Sequence, residues 1–346
     1  MLHLNERIKS LVALGTVLES QLAQIKKSKT GELDSLITNV GIQNPWFTRE
    51  AVIQSLTAIQ GWLTYEELNK WIAPYYLGEP VTIKRIAVIM AGNIPMVNFH
   101  DFLSVIITGH VFIGKLSSQD KLLLPWMAGE LVKINEGWKE QIKFTYERLS
   151  DFDAVIATGS TNTSRYFEHY FGKYPNIIRR NRQSLAVLTG NESKEEILKL
   201  HNDIFQYYGM GCRNVSMLWV PQEYDFKHLF DTWQELPKPT DHNKYLNNYD
   251  YYRSFYLVNQ QPFYDTGYVS VLMNESLASP VSVIHYMIYR DVEEVKKFVE
   301  NNSGNIQCIV AQNGLISSSV EFGKAQDPGL NDYPDGVDII QFLLAL

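Results

Sequence analysis

The pattern that most restricts the fold lies in residues 86–118, IAVIMAGNIPMVNFHDFLSVIITGHVFIGKLSS. A continuous apolar run at residues 86–90 predicts a strand buried on both faces, and the AGNIP that follows predicts its turn. A helix is predicted over residues 97–108, ended by Gly109, before a second buried strand at residues 111–113. This order predicts a parallel βαβ unit, whose ligands lie at the carboxyl ends of the strands.

Polar residues fall at both of those strand ends. Asn93 follows the first strand, and Lys115 ends the second, with Ser117 and Ser118 just beyond. A strand-end amide can donate to an oxyanion, and a lysine followed by hydroxyls suits a phosphorylated ribose. The residues alone leave open a second interpretation, in which Asn93 only makes a turn and Lys115 is a solvated lysine.

A third buried strand is predicted at residues 154–157, followed by the turn TGST. Gly159 and Ser160 open a helix there, and a helix start offers free amides and a favourable dipole to an anion such as a pyrophosphate. A turn followed by a helix cap is the alternative. The usual dinucleotide fingerprint is absent, because Asn214 stands where a third glycine would follow Gly209 and Gly211.

Cys212 lies in GMGCRNVSMLWVP, residues 209–221, between nearby glycines and a predicted buried strand. A cysteine nucleophile needs close backbone approach from its substrate and amide donors for an oxyanion, and glycines permit the approach. The alternative is that Cys212 packs as a small hydrophobic residue. Cys308 lies inside a predicted strand without glycine neighbours and is expected in the core.

Length and composition limit the class of protein. The 346 residues predict two lobes, and two cysteines with 45% hydrophobic and 20% charged residues are typical of a reducing cytoplasm. The net charge of −7 argues against general nucleic-acid binding, although local basic patches remain open. No apolar run approaches the ~18 residues of a membrane span. Glu6, Arg7 and Lys9 interrupt any secretory leader. No histidine has metal-ligand spacing.

Three further segments have two interpretations each. Residues 1–78 have amphipathic helical spacing, which predicts a packed helical cover rather than a membrane-surface element, because the charges are mixed. Residues 236–265 are rich in Asn, Pro and Tyr and predict either a surface insertion or an aromatic lining for an apolar substrate. The basic cluster Arg179, Arg180 and Arg182 predicts either a solvated edge or a site for an acidic ligand.

Taken together, these motifs resemble the aldehyde dehydrogenase superfamily and, within it, the bacterial fatty acyl-CoA reductases of the LuxC type. The similarity runs from residue 86 to the C-terminus and includes the tail FGKAQDPGLNDYPDGVD. The matching positions are Asn93 in AGNIP, Lys115 in FIGK, Ser117, Gly159 and Ser160 in TGST, Cys212 after Gly211, and ASPV at residues 278–281.

The resemblance implies a role for each position. Cys212 is the implied nucleophile and Asn93 the oxyanion donor. Lys115 is the implied contact to the cofactor ribose or its phosphate, and Ser117 stands where NAD-preferring members often carry a ribose-binding carboxylate. Gly159 and Ser160 are implied to meet the pyrophosphate. The family's ribose-binding glutamate falls on Ser276, so the neighbouring Glu275 is carried over as the ribose contact.

One departure bears on the reaction. Members that hydrolyse their thioester carry Glu-Leu-Gly-Gly upstream of the cysteine, whereas the matching residues here are 178–181, Ile-Arg-Arg-Asn. Without that carboxylate, an acyl-enzyme would persist until a hydride or another thiol reached it. This favours an acyl reductase.

The resemblance implies an α/β, aldehyde-dehydrogenase-like fold with two Rossmann-like lobes, parallel sheets and a helical N-terminal region. The expected domains are residues 1–190 with the cofactor, 191–320 with the cysteine, and a tail at 321–346. The expected activity is NADPH-dependent reduction of an acyl-CoA or acyl-protein thioester to an aldehyde, with NADH less favoured and no metal. A CoA-acylating aldehyde dehydrogenase and a non-catalytic acyl or nucleotide binder are the alternatives, and a homodimer is possible.

Overall fold

The computed structural model describes residues 2–78, 82–159 and 161–346 and divides the chain into two compact units. Unit 1 consists of Met1–Asn181 and Gly329–Leu346, and unit 2 consists of Arg182–Pro328. The predicted boundaries at residues 190 and 320 therefore differ from the observed divisions. The first differs because the strand over residues 183–187 pairs in the sheet of unit 2.

Unit 1 combines an N-terminal helical region with a parallel sheet. Its helices are α1 (Leu4–Ser28), α2 (Glu32–Gln43), α3 (Arg49–Trp62), α4 (Tyr65–Ile72), α5 (Phe99–Ile107), α6 (Leu123–Ile134), α7 (Thr161–Phe171) and, at the other end of the chain, α12 (Ile339–Leu344). Its strands are β1 (Arg85–Ile89), β2 (Val111–Lys115), β3 (Ile142–Thr145), β4 (Ala154–Thr158) and β5 (Asn176–Arg179).

The sheet of unit 1 confirms the predicted parallel βαβ unit. Its order is β3-β2-β1-β4-β5, with every neighbouring pair parallel. The strand order reverses at β1, so the loops after β1 and β4 leave the sheet side by side, which is where open α/β sheets bind ligands. Gly109 ends the intervening helix with a φ of 84°, a left-handed conformation that suits glycine.

The N-terminal helices cover this sheet's core with one apolar face, as their periodicity predicts. In α1, Leu11, Leu14 and Leu18 are fully buried at helical spacing. No helix in the described part of the chain is long and apolar enough to cross a membrane.

Unit 2 contains a sheet that is parallel except at one edge. Its helices are α8 (Lys194–Phe205), α9 (Phe226–Trp233), α10 (Asn243–Val258) and α11 (Val292–Asn301). Its strands are β6 (Gln183–Val187), β7 (Val215–Pro221), β8 (Tyr264–Asp265), β9 (Ser270–Met273), β10 (Val283–Tyr289) and β11 (Ile306–Ala311). The order is β11-β6-β7-β10-β9-β8, and only the β8–β9 pair among these is antiparallel.

The tyrosine-rich segment forms helix α10, which was not predicted. Tyr245, Tyr249 and Tyr256 are buried, whereas Tyr251 is exposed. The buried tyrosines recur at intervals of four and seven residues, so one face of the helix packs inward. The segment is thus a half-buried helix and not a loose surface insertion.

Candidate functional site

In unit 1, the loops that carry the predicted cofactor residues leave neighbouring strands at the same edge of the sheet. Lys115 ends β2 and is in register with Ile89, the last residue of β1. The turn with Asn93 follows β1, and Gly159 follows β4 on the other side. Asn93 is exposed, while Lys115 and Gly159 are half-buried. The structure therefore brings these three positions to one edge.

The turn after β1 is held by residues that the sequence did not single out. The Asn98 side chain accepts from the Ala91 amide at 3.2 Å and donates to the Ala91 carbonyl at 2.9 Å. Ser55 Oγ donates to the Pro95 carbonyl at 2.9 Å, which ties the turn to α3. Because its backbone is anchored at these points, the turn presents Asn93 from a fixed position.

Asp120 holds the same turn by hydrogen bonding to its backbone. Its carboxylate accepts from the amide of Met96, which has a left-handed φ of 58°, and from the amide of Leu123, each at 3.4 Å. Burial raises the pKa of Asp120 to about 6, against the opposing effect of these amides. The carboxylate is therefore committed to backbone groups rather than to a ligand.

Ser117 is half-buried and packs against the turn. A side chain at Gly92 would bring its Cβ within 2.5 Å of Ser117 Oγ, so only glycine permits this close approach. Ser117 Oγ accepts from the Gln119 amide at 3.2 Å, and Ser118 beside it is exposed. The loop after β2 thus offers Lys115 and two hydroxyls at the sheet edge.

Gly159 lets helix α7 start close to the end of β4. A Cβ at this position would lie 2.9 Å from the Phe167 ring and 3.0 Å from Thr163 Cβ. The Gly159 amide donates to the Arg179 carbonyl at 3.3 Å. Ser160, which was predicted to contact the pyrophosphate, lies outside the described residues.

These donors fit a phosphorylated dinucleotide. They are the ammonium group of Lys115, the hydroxyls of Ser117 and Ser118, and the start of α7 just after Gly159, where any side chain would collide with the helix. Cationic and hydroxyl donors with a helix start are the groups that bind phosphates in proteins.

The basic cluster near residue 180 does not form one ligand site. Arg179 is 4% exposed and makes a bidentate ion pair with Asp101 at 2.7 and 2.8 Å, whereas Arg180 pairs with Glu168 at the surface. Arg179 also donates to Thr158 Oγ1 at 3.4 Å, beside the Gly159 turn. The buried pair therefore braces the ends of β4, β5 and α5.

In unit 2, Cys212 is exposed and lies just before the amino end of β7, whereas Cys308 is buried in β11 as expected. Ser184 Oγ donates to the Cys212 carbonyl at 2.9 Å, and Ser216 Oγ donates to the Ser184 carbonyl at 3.2 Å. These bonds attach the cysteine backbone to β6 and β7. The sulfur is thus carried at the surface by a backbone fixed to the sheet.

Asn214 organises the loop that carries Cys212. It is 2% exposed, and its Nδ2 donates to the carbonyls of Asp203, Ile204 and Gln206 at 3.2, 3.1 and 2.8 Å. Its Oδ1 accepts from the Gly211 amide at 2.8 Å. The residue that breaks the dinucleotide fingerprint is therefore the one that closes this loop against the end of α8.

The residues before this loop adopt an unusual backbone. Tyr207, Tyr208 and Gly209 have consecutive left-handed φ angles of 52°, 60° and 75°. Two bulky residues in this region are strained, and such a conformation persists only where the surrounding structure holds it. The centroid of the Tyr208 ring lies 4.6 Å from that of His242, the N-cap of α10. The start of α10 therefore supports the strained turn.

Asp203 connects the cysteine loop to residues 322–326 of the tail. Its carboxylate accepts from the amides of Gly323 and Ala325 at 2.6 and 3.0 Å, and the Ala325 carbonyl accepts from Arg213. Burial raises the pKa of Asp203 to about 6, although the two amides and the Arg213 charge oppose the rise. The first residues of the tail therefore belong to unit 2.

Glu275 is exposed in the loop that follows β9. The same loop is fixed to β7, because Ser216 Oγ donates to the Leu277 carbonyl at 2.8 Å. Ser276, at the position that matches the family's glutamate, donates to the Ala278 carbonyl at 3.0 Å. A ribose contact from Glu275 stays a prediction.

Comparison with known proteins identifies the fold. No protein-family model and no curated protein sequence matches the chain. Among solved structures, an aldehyde dehydrogenase from Bacillus cereus in complex with NAD+ superposes with a TM-score of 0.64 at 14% identity, covering 90% of this chain and 73% of that one. The chain has an aldehyde-dehydrogenase-like fold.

Other proteins share this aldehyde-dehydrogenase-like fold. Aldehyde dehydrogenase 21 from Physcomitrella patens, solved with the reaction product succinate, matches with a TM-score of 0.61 and 14% identity over 90% of this chain and 78% of that one. An indole-3-acetaldehyde dehydrogenase from P. syringae, solved with NAD+, gives a TM-score of 0.64 and 12% identity over 92% and 74%. The predicted fold class is confirmed, and the LuxC-type resemblance stays a prediction.

Proposed function

We propose that this protein is an NADPH-dependent reductase that converts an acyl-CoA or acyl-protein thioester to an aldehyde through an acyl-enzyme on Cys212. The observation that supports the proposal most directly is the exposure of Cys212 on a loop held by buried hydrogen bonds, while Cys308 is buried. A structural cysteine is usually buried and inert, whereas a reactive one must be reached by its substrate.

The acyl transfer follows from ordinary thiol chemistry. The Cys212 thiolate attacks the thioester carbonyl carbon, the new carbon–sulfur bond forms, and the bond to the carrier sulfur breaks to release the carrier thiolate. About a few per cent of an unperturbed cysteine is ionised at neutral pH, which suffices for attack. The Asn93 side chain and the Cys212 backbone amide are the proposed donors to the oxyanion that develops on the carbonyl oxygen.

When bound, the nicotinamide cofactor supplies the hydride that reduces the acyl group to an aldehyde, with the Cys212 sulfur as the leaving group. Lys115, Ser117 and Ser118 are the proposed contacts to the 2′-phosphate, since they offer donors and no carboxylate. Gly159, Ser160 and the start of α7 are the proposed pyrophosphate site, and Glu275 the proposed ribose contact.

The Arg179–Asp101 pair supports reduction over hydrolysis. Where hydrolytic relatives are expected to carry a water-activating glutamate, this chain has Ile178, which has no carboxylate, followed by the buried Arg179. Both oxygens of Asp101 accept from Arg179, so this nearby carboxylate is already occupied by the guanidinium group and is not available to orient a water. An acyl group on Cys212 would therefore persist until the hydride reaches it.

Intact-mass analysis after mixing with an acyl-CoA tests the proposal. We expect one acyl adduct on the wild type and on Cys308→Ala, and none on Cys212→Ala. Asn93→Ala should still acylate but reduce about 100- to 1,000-fold more slowly, the usual cost of losing one oxyanion donor. NADPH-dependent aldehyde formation by Cys212→Ala would refute the assignment.

Rates measured in both directions separate the alternatives. A reductase forms aldehyde from acyl-CoA and NADPH faster than it forms acyl-CoA from aldehyde, CoA and NADP+. A CoA-acylating dehydrogenase shows the reverse preference, and a binding protein gives no adduct and no turnover.

A further inference from the structure

Arg213 directly follows Cys212 and turns its side chain towards the interior of unit 2. Its Nε donates to the Ala325 carbonyl, and its Nη2 donates to Cys308 Sγ at 3.7 Å. Ala325 is fully buried and Cys308 is 6% exposed, so the guanidinium group lies against core residues. Two of its nitrogens therefore bind the protein itself, and the side chain acts as an anchor for the loop that carries Cys212.

The residues that receive this anchor, 322–326, are themselves fixed to helix α8. The Asp203 carboxylate, which is fully buried, accepts from the amides of Gly323 and Ala325 at 2.6 and 3.0 Å. Gly323 has a left-handed φ of 83°, and a Cβ there would lie 3.1 Å from Lys199 Cβ, so glycine allows the segment to pass close to α8. The Ala325 carbonyl is therefore a fixed acceptor for Arg213.

Hydrogen bonds on both sides of Cys212 restrict its backbone. On the amino side, Asn214 Oδ1 accepts from the Gly211 amide at 2.8 Å. On the carboxyl side, Ser184 Oγ donates to the Cys212 carbonyl at 2.9 Å. That carbonyl belongs to the planar peptide unit that joins Cys212 to Arg213. The Ser184 bond and the Arg213 side chain therefore fix this peptide unit from two sides, which limits the direction of the Cys212 amide, the proposed oxyanion donor.

We propose that Arg213 is a positioning residue for acyl transfer, whose bond to residues 322–326 aligns the Cys212 amide with the oxyanion that forms on the thioester carbonyl. The proposal rests on the acyl transfer to Cys212 argued above, and it adds residues 322–326 to the structure that supports the reacting cysteine. Arg213 acts through the backbone, since its Nε and Nη2 are bound to interior groups.

Two reactions of the same sulfur separate positioning from other effects of Arg213. Acylation by octanoyl-CoA passes through an oxyanion, whereas in alkylation by iodoacetamide the sulfur displaces iodide directly and no oxyanion forms. Both rates are measured by intact mass without any cofactor, and peptide mapping assigns each adduct to Cys212 or Cys308. A misaligned oxyanion donor should slow the first reaction alone.

Arg213→Met keeps an extended apolar side chain and removes all of the N–H donors. Its acylation rate should fall about 10- to 100-fold, because misplacing a reacting group by about 1 Å can cost about 100-fold. Its rate of Cys212 alkylation should stay close to that of the wild type, and alkylation of Cys308 would report an unfolded variant. If Arg213→Met does not fold, Arg213→Lys should show the same selective loss, since lysine keeps the charge but has no donor at the position of Nε.

Arg182→Met is the matched control. Arg182 is also half-buried in unit 2 and also donates to a backbone carbonyl, that of Ile306 at 3.4 Å, but it is remote in sequence from Cys212. Its replacement should leave the acylation and alkylation rates of Cys212 close to those of the wild type. A selective loss of acylation as large as that of Arg213→Met would contradict the specific role of Arg213.

The outcomes separate this inference from the proposed function. Equal acylation rates in the wild type and the Arg213 variants would show that Arg213 does not position Cys212. Equal losses of acylation and alkylation would show that its charge acts on the thiol instead, which also overturns the positioning role. A wild type that forms no Cys212 adduct with octanoyl-CoA or acetyl-CoA would overturn the proposed function and this inference with it.

Discussion

The side chain of Asn214 holds the cysteine loop through hydrogen bonds, and an isosteric substitution tests how much these bonds contribute. In Asn214→Asp, the side chain can still accept from the Gly211 amide but no longer donates to the three carbonyls at the end of α8. A buried carboxylate oxygen facing carbonyls is unfavourable, so we expect a loss of about 1 to 3 kcal/mol in stability.

Cys212 acylation distinguishes positioning from stability in that variant. We expect the acylation rate of folded Asn214→Asp to fall more than that of Asn202→Asp, whose side chain is exposed on α8. Equal acylation rates for the folded wild type and Asn214→Asp would show that Asn214 only stabilises unit 2.

Ser117 offers a test of the cofactor preference. Ser117→Asp keeps an acceptor for the Gln119 amide but adds a negative charge at the proposed 2′-phosphate contact. Repulsion between the two charges should weaken NADPH binding about ten-fold relative to NADH, equivalent to about 1.4 kcal/mol. Dissociation constants from cofactor fluorescence measure this, with the uncharged Ser117→Asn as the control. An unchanged ratio in Ser117→Asp would place the 2′-phosphate elsewhere.

At this scale, sequence motifs suggest candidate site residues more readily than they reveal the buried residues that support those candidates. The sequence predicts correctly that Cys308 is core, and it selects Cys212 and Lys115 at loop and strand ends. Asn98, Asp120 and Asn214 were not recognised as supports, because a buried Asn or Asp that bonds to backbone looks in sequence like any turn residue. Arg179 was placed in a solvated or ligand-facing cluster because its partner Asp101 is remote in sequence.

Among the elements, the ends of β4, β5 and α5 depend on the Arg179–Asp101 pair. Asp101→Leu leaves the Arg179 charge buried without its partner carboxylate, which should cost about 3 to 5 kcal/mol in unfolding free energy. The double variant Asp101→Leu/Arg179→Met removes both charges and should recover most of that loss. Chemical denaturation of both variants and the wild type measures the difference. A double variant as unstable as the single one would contradict this account.

Elements with strong periodicity or continuous apolar runs were predicted from sequence, and short or polar ones were not. Strands β1, β2, β4 and β7 are apolar runs between turn residues. Helix α8 begins with a capping box of Ser193 and Glu196, a pattern that is recognisable in sequence. Strands β3 and β5 contain Lys143, Thr145 and Arg179, which weaken the apolar signal. Helix α10 is rich in Asn and Tyr, which are poor helix formers, so its burial against unit 2 decides its structure.

For the whole molecule, Asp203 gives a pH-dependent contribution to stability. Burial raises its pKa to about 6, above the ordinary aspartate value of 3.8. Between those values the native state keeps a proton that the unfolded state has lost, so this contribution stabilises at low pH and is lost as pH rises through 6. A pKa difference of about 2 between the native and unfolded states corresponds to about 3 kcal/mol in the free energy of unfolding.

The variant Asp203→Asn isolates this contribution. As the pH falls from 7 to 4, the free energy of unfolding of Asp203→Asn should decrease by up to about 3 kcal/mol relative to that of the wild type. Burial lowers the pKa of His201 to about 4, so this histidine destabilises the native state as pH falls. The effect is the same in both proteins and therefore cancels in the difference between them. Denaturant titrations at both pH values measure it, and a pH-independent difference would contradict the assignment.

The division into units was the part of the organisation that sequence could not supply. Residues 321–346 were predicted to be one tail, yet Asp203 binds the amides of Gly323 and Ala325, while the Leu330 carbonyl is 2.9 Å from His100 Nε2. Nothing local in the sequence distinguishes these two halves, because each is fixed by a partner more than one hundred residues away.

The return of the chain to unit 1 has a consequence for biosynthesis. Ile339, Ile340 and Leu343 belong to the core of unit 1, but the ribosome makes them after all of unit 2. Unit 2 is contiguous, so it can mature on the ribosome while the core of unit 1 still waits for its last helix. Limited proteolysis of stalled nascent chains should therefore show unit 2 becoming protease-resistant before unit 1.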